Sequence, residues 1–359
     1  MNELYQEQLD TMTPEQRMER RAARTKARRE RQRRRRLQTL LRLSPIVAVL
    51  LILAVVLIVR GKAYHPAKTE PVVSPEPEVT VEEPTPAPSP AYLTLDYTTA
   101  AAPGDAITST YALLVDAADG RVLIDRSSDV LINPASMTKV MTILTAADYI
   151  DNLSDTIVFT KEMSDYAYID ELSIAGFMPG ERVTVADLLY GTILPSGADA
   201  AMGLAVYVAG SEEDFMVLVN EKMAQMGLSP QARFTNCSGK YDANHRCTLA
   251  DLAIIMDTAM HSDLCRQVLS AHTYTTSLTS AHPEGLLLSN WFLRRIEDKD
   301  CGAITVTGGK TGYVHEAGSC AVSYGEDAAG HGYICVTGDA QSAWLCIYDH
   351  AALFRDYAG

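Results

Sequence analysis

The sequence predicts an α/β or α+β fold of about 250 residues carried behind a single N-terminal transmembrane helix. Three observations predict it. Hydrophobic residues are 47% of the 359, enough to fill a buried core, which excludes a disordered chain or a disulfide-stapled miniprotein. Charge divides sharply along the chain. Residues 1–60 hold 14 Lys+Arg against 6 Asp+Glu (net +8), and the rest hold 17 against 39 (net −22). Beyond residue 105, β-rich runs stand at both ends of a helical middle, so a sheet must be assembled from sequence-distant strands.

Residues 1–42 form a basic segment expected to stay in the cytoplasm. Twelve of its basic residues lie between Arg17 and Arg36, and such a bias keeps a flank inside. Thr13-Pro14-Glu15-Gln16 reads as an N-cap, a Pro at the first helical position and a capping-box Gln. The basic run could in principle meet nucleic acid or anionic lipid. With no aromatic interleaving, it reads as a topology signal touching headgroups, and no nucleic acid is expected.

Residues 43–60 supply the membrane helix. The stretch LSPIVAVLLILAVVLIV is free of charge and bracketed by Arg42 and Arg60; at 1.5 Å per residue it is about 26 Å long. A cleaved leader ending near Gly61-Lys62-Ala63 is the competing reading, against which stand an overlong n-region and apolar stretch. Residues 61–105 form a tether: Pro66, Pro71, Pro75, Pro77, Pro84, Pro86, Pro88 and Pro90 crowd one part of it. Polyproline-like extension gives a reach of up to ~130 Å.

The folded domain, 106–359, opens with a hairpin: strands at 111–116 and 121–125 around the turn Ala117-Ala118-Asp119-Gly120. A helix follows Asn133-Pro134 through 137–149. Helical patterns recur at 185–190, 199–209, 213–226 and 249–261. Further β-rich runs lie at 303–307, 319–324 and 333–338, and 342–357 closes the chain as a helix.

Three short motifs carry the chemistry. Pro134-Ala135-Ser136-Met137-Thr138-Lys139 holds the chain's Ser-x-x-Lys. At a helix start, Ser136 and Lys139 share a face one turn apart, and free backbone N–H groups favour a developing oxyanion. Alone, such a match arises about once by chance in a chain this long. The second is Leu194-Pro195-Ser196-Gly197-Ala198-Asp199-Ala200, a turn entering a helix. The third is Gly308-Gly309-Lys310-Thr311-Gly312-Tyr313, at the end of a β run, where glycines leave room for a ligand along the strand edge and a cation beside a hydroxyl can hold a carboxylate. Taken singly, Ser196 reads as a helix N-cap and Lys310 as a solvated edge charge. The conjunction and its order shift the reading towards one site.

In these motifs the sequence resembles the penicillin-interacting serine acyl-transferases, marked by S-x-x-K and K-T-G elements. It is most similar to the serine-type D-alanyl-D-alanine carboxypeptidases, the low-molecular-mass penicillin-binding proteins. The similarity runs over about 108–357, through NPASMTKVMT, LLYGTILPSGADAA, TNCSGKYDANHRCTLADLA and GGKTGYVHEAGSCAVS. It implies a beta-lactamase/DD-peptidase-like fold, an antiparallel sheet flanked by helices with a helical subdomain. It also implies roles. Ser136 would be the nucleophile acylated by the penultimate D-Ala, and Lys139 would receive its proton, made less basic by burial and by Lys310. Ser196 would relay a proton to the leaving D-Ala. Lys310 and Thr311 would hold the terminal carboxylate, with Gly312 beside them, and the N–H groups of Ser136 and Tyr313 would form the oxyanion hole. The expected partners are a peptidoglycan stem peptide ending in D-Ala-D-Ala and beta-lactams as covalent inhibitors. No metal and no cofactor is implied, and the eight histidines form no H-E-x-x-H pattern.

One position departs from the family. Its middle motif is Ser-x-Asn, whereas the third residue here is Ala198. The missing amide would cost about 1–3 kcal/mol of hydrogen bonding unless Asp199, a water or a shifted neighbour replaces it. Two rivals follow: a beta-lactamase-like hydrolase, and a wall-binding or regulatory module that has lost turnover. The seven cysteines all fall in the proposed external part. Cys237 with Cys247, or Cys320 with Cys335, are the pairs that could bridge, although free thiols suit the same positions. His245 reads as a structural hydrogen-bonding loop residue, and Trp291-Phe292-Leu293 as core.

Overall fold

A computed structural model describes residues 92–359. The basic segment, the 43–60 helix and most of the Pro-rich tether lie outside the described residues. Among the described residues no helix is long and apolar enough to cross a membrane.

The expected hairpin forms from β1 (Tyr111–Asp116) and β2 (Val122–Arg126), with Gly120 at φ +77° making the turn. At the other end of the chain β7 (Thr305–Val314), β8 (Gly318–Glu326) and β9 (Gly332–Ala340) form a meander. One long-range pairing joins the two: β1 runs antiparallel to β9, with Ala112 opposite Thr337 and Leu114 opposite Cys335. The sheet order is β2-β1-β9-β8-β7, every neighbour antiparallel. That leaves β7 as an edge strand.

Side-chain alternation along the central strands divides the interior into two cores. On β1, Leu113 and Val115 enter one core, while Ala112 and Leu114 enter the other. On β9, Ile334 and Val336 alternate with Tyr333 and Cys335 in the same way. The second core is covered by α9 (Ala343–Tyr357), capped by Ser342, and by the short α8 (Leu293–Ile296). Phe292 and Leu293 are buried there as expected, whereas Trp291 is only half-buried.

The first core holds the helical middle: α1 (Thr138–Ala147), α2 (Lys161–Ile169), α3 (Val185–Ile193), α4 (Ala198–Ala209), α5 (Glu212–Gln225), α6 (Leu249–His261) and α7 (Asp263–Leu269). Thr184 and Thr248 start α3 and α6 through reciprocal bonds with Asp187 and Asp251. Two small antiparallel pairs complete the described elements: β3 (Thr156–Val158) with β4 (Arg182–Thr184), and β5 (Thr273–Thr275) with β6 (Leu287–Ser289).

Three sequence expectations need correction. Residues 92–105, assigned to the tether, lie along β2 instead. Asp96 bridges Arg121, Ala101 bridges Ile124, and Tyr92, Leu93 and Leu95 pack on the first core. Their apolar side chains gain more from burial than from extension in water. The Gly-Gly-Lys-Thr-Gly motif lies within β7 rather than at its end. Neither proposed disulfide exists: all seven cysteines are free and buried. Cys320 and Cys335 point into different cores, on opposite faces of the sheet, and the Cys237 thiol is directed at Glu212.

Candidate active site

The segment before α1 makes a tight, strained turn. Ala135 sits at φ +47°, which a non-glycine residue adopts only when its surroundings hold it there. Three groups do so. The Asn133 side-chain oxygen accepts the Ala135 N–H at 3.0 Å. The Thr138 hydroxyl donates to the Ala135 carbonyl at 2.7 Å. His245 in turn fixes Thr138: its Nδ1 accepts the Thr235 N–H at 2.9 Å, so its Nε2 carries the hydrogen and donates to Thr138 Oγ1 at 2.7 Å. Burial pushes the His245 imidazole down to about 3, so it stays neutral. This histidine is a strut, as its loop position predicted.

Two glycines admit the neighbours of this turn. Gly239, at φ +75°, lies so close that a Cβ there would meet the Ala135 carbonyl oxygen at 1.7 Å. Gly312 of β7 faces the other side, where a Cβ would meet Cys320 Sγ at 2.8 Å and Ala135 Cβ at 3.1 Å. The glycine of the Lys-Thr-Gly motif thus serves close approach between the edge strand and the Ser136 turn.

Ser136 stands in a single 3-10 turn, Ala135–Met137, and Lys139 follows in α1. Lys139 Nζ lies 2.8 Å from Ser136 Oγ and donates to the Ser238 carbonyl at 2.6 Å. Lys139 is 2% exposed. Burial pushes its ammonium down to about 7, a shift that Cys237 and Asp199 only partly oppose. Opposite, Ser196 takes φ +63° between α3 and α4. The helix cap is Gly197, without a side-chain bond, so the N-cap reading of Ser196 fails. Its Oγ instead accepts a hydrogen bond from Lys310 Nζ at 2.8 Å.

Lys310 is 2% exposed rather than solvated, and it also donates to the Thr311 carbonyl. Burial first, and repulsion from Lys139 second, hold its ammonium well below the ordinary lysine range. Thr311 is half-buried, and Tyr313 stands 66% exposed on the edge strand. Ser136, Lys139, Ser196 and Lys310, drawn from three distant stretches, therefore form two hydrogen-bonded hydroxyl–amine pairs. Burial, rather than the expected effect of Lys310, makes Lys139 less basic, whereas Lys139 does act on Lys310. A polar cleft beyond Asn133, lined also by Tyr241, Asp242, Arg246 and Glu316, adjoins the turn.

Asp199 does not replace the absent Asn. Its carboxylate accepts the N–H groups of Ala175, Gly176 and Ala200 at 2.8, 3.2 and 2.9 Å, fastening a loop onto α4. Ala198 is fully buried and its N–H reaches the Ser173 carbonyl. Sequence reasoning did not single out Ser238, whose carbonyl holds Lys139. It also missed Asn236, whose side chain accepts from Gly239 N at 2.8 Å and Lys240 N at 3.0 Å and so shapes that loop. The TNCSGK stretch was the signal, but a backbone carbonyl leaves no residue-type signature.

Residues 96–341 match the D-alanyl-D-alanine carboxypeptidase family. The chain belongs to that family. D-alanyl-D-alanine carboxypeptidase DacF of Bacillus subtilis is 29% identical over 219 residues, covering 58% of this chain and 52% of the relative. The carboxypeptidase of Streptomyces sp. (strain K15) is 30% identical over 211 residues, covering 56% of this chain and 71% of that protein. The chain thus spans about half the length of the Bacillus relative. The solved Streptomyces K15 DD-transpeptidase superposes with a TM-score of 0.61 at 25% identity, over 69% of this chain and 95% of that one. The family's antiparallel sheet flanked by helices is the fold described above.

Proposed function

We propose that this protein is a membrane-anchored serine peptidase that removes the terminal D-Ala from peptidoglycan stem peptides. The observation that carries the reading is the Ser136–Lys139 contact of 2.8 Å with the amine pushed to about 7. A neutral lysine can take the serine proton as Oγ attacks the carbonyl of the penultimate D-Ala. The oxyanion then meets the N–H groups of Ser136 and Tyr313. Lys310 and Thr311 receive the terminal carboxylate, whose charge favours the protonated form of Lys310. Ser196, bonded to Lys310, passes a proton to the departing amine. Water resolves the ester.

Beta-lactams, which present a strained amide and a carboxylate, acylate the same serine. The charge-free span at 43–60, its basic flank and the Pro-rich stretch support a single-pass anchor with the N-terminus cytoplasmic and the catalytic domain outside. Protease shaving of intact cells, with the domain digested and the 1–42 segment protected, checks that topology.

Incubation of the detergent-solubilised full chain with a pentapeptide ending in D-Ala-D-Ala tests the activity. D-Ala release is expected, and Ser136→Ala abolishes both release and labelling by a fluorescent penicillin. Labelling that persists in Ser136→Ala refutes the nucleophile. Peptide binding without release favours a non-catalytic module, and rapid turnover of a beta-lactam favours a beta-lactamase-like hydrolase. Because the solved Streptomyces relative is named a DD-transpeptidase, an added amine acceptor belongs in the assay. A peptide–amine product in place of the free acid identifies transfer.

A further inference from the structure

The Lys139 amine has one hydroxyl partner, Ser136, and one backbone partner, the Ser238 carbonyl. A neutral amine carries two hydrogens and a single lone pair. Giving one hydrogen to a fixed carbonyl restricts where the lone pair points, so the position of that carbonyl governs how well Lys139 faces the Ser136 hydroxyl. Asn236 shapes the loop from within. Thr142 of α1 ties the loop to the motif helix by donating to the Cys237 carbonyl at 2.7 Å. Further side-chain attachments come from two helices that contribute no motif residue.

Tyr166, on α2, lies with its hydroxyl 2.6 Å from Glu212 Oε1 and 2.9 Å from Ser238 Oγ. A phenol has one hydrogen, which goes to the carboxylate, so Ser238 donates to the Tyr166 oxygen. Burial and the neighbouring acidic groups push the phenol well above its ordinary range, keeping that hydrogen in place. Glu212, the first residue of α5, uses the same Oε1 to accept the Cys237 N–H at 3.1 Å. The Lys240 ammonium lies 4.3 Å above the Tyr166 ring and 3.7 Å from the Asp170 carboxylate. Cys237, Ser238 and Lys240 are thereby held at consecutive points, by Glu212, the Tyr166 hydroxyl and the Tyr166 ring.

We infer that Tyr166 and Glu212 are positioning residues for the general base, holding the Ser238 carbonyl where it aims the Lys139 amine at Ser136. This rests on the proposed acyl-transfer reading of that site. It gives the helical subdomain a part in the chemistry, and it answers how Lys139 is oriented with Ala198 at the family's Asn position and Asp199 engaged elsewhere.

The test is the rate of acylation by a fluorescent penicillin on the full chain, expressed per titratable active site, across pH. Tyr166→Phe and Glu212→Ala are each expected to slow acylation by ~10-fold or more, since small misplacements of reacting groups carry penalties of that order. Thermal stability should change little. The double variant should be no slower than the slower single, because both changes free the same carbonyl. Glu212→Gln keeps an acceptor oxygen and should stay within ~3-fold of the unaltered protein.

A Tyr166→Phe protein that acylates at the original rate per active site overturns the inference. So does a loss that follows only the folded fraction. Should Tyr166→Phe fail to fold, Ser238→Ala removes the same bond from the other side while leaving the carbonyl. An unaltered rate there is equally fatal. An unaltered protein that penicillin never labels refutes the proposed function itself; a labelled one with indifferent variants refutes only the role of Tyr166 and Glu212.

Discussion

Lys139 and Lys310 are two amines that burial has made poor bases. Their proximity adds repulsion, and a protein tolerates that arrangement where the charge is wanted only after ligand arrives. A pH dependence follows. Below about 7 Lys139 is an ammonium and cannot accept the Ser136 proton; above it the neutral form dominates. Acylation is therefore expected to fall about tenfold per pH unit below that point and to level off above it. A limb near 10, where an ordinary lysine titrates, refutes this. Position 198 belongs to the same scale. With Lys139 already held by Ser136 and Ser238, Ala198→Asn is expected to change acylation by less than ~10-fold. A hundredfold gain in stopped-flow acylation would mean the amine is poorly aimed without it.

The Ser136 turn is wedged between the 236–240 loop and the edge strand β7, and the wedge depends on missing side chains at Gly239 and Gly312. Gly239→Ala forces a Cβ into the Ala135 carbonyl while placing alanine at positive φ. The backbone alone costs about 1–2 kcal/mol. The clash displaces Ser136 or the Ser238 loop, so penicillin labelling and melting temperature should fall together; unchanged labelling refutes the wedge. Asp199 works at the same level, tying the 173–176 loop to the start of α4 through three N–H groups, one of them its own helix's. Asp199→Ala leaves those donors without their acceptor and should lower stability by about 1–3 kcal/mol in denaturant melts. The five strands of the main sheet and the longer helices of the domain were legible, because their apolar periods are local. Helices α2, α7 and α8 and the short strands β3 to β6 were not, for their patterns are short. That β7 continues through its glycines was also hidden, since it depends on pairing with β8.

Two buried histidines make the whole domain sensitive to acid. His350 bonds Ser323 and Thr337 between β8, β9 and α9, and His245 braces the Ser136 turn. Burial pushes both imidazoles down to about 3, whereas an unfolded histidine titrates near 6.5. Between those values the unfolded chain binds protons that the folded one does not. Stability is thus complete above about 6.5 and is lost as pH falls towards 3, by up to ~1.4 kcal/mol per unit for each histidine. A His350→Gln variant should show a correspondingly shallower decline in melting temperature between pH 7 and 5; an identical slope refutes the assignment. Thiol chemistry gives a second check at this scale. With seven buried free cysteines, reductant should leave the melting temperature unchanged, and a thiol reagent should react only after unfolding.

The sequence by itself picked out Ser136, Lys139, Ser196 and Lys310 and their order, because Ser-x-x-Lys is a local helical spacing and the three motifs stand together in one chain. It also determined the hairpin, the closing helix and the family. Only the tertiary structure decided that Ser196 bonds Lys310 rather than capping a helix, that both lysines lie in the interior, and that a carbonyl at Ser238 holds the Lys139 amine. The physical reason is that burial, backbone acceptors and the pairing of β1 with β9 are properties of contacts between residues far apart in the chain. Residue types and spacings do not encode them one at a time.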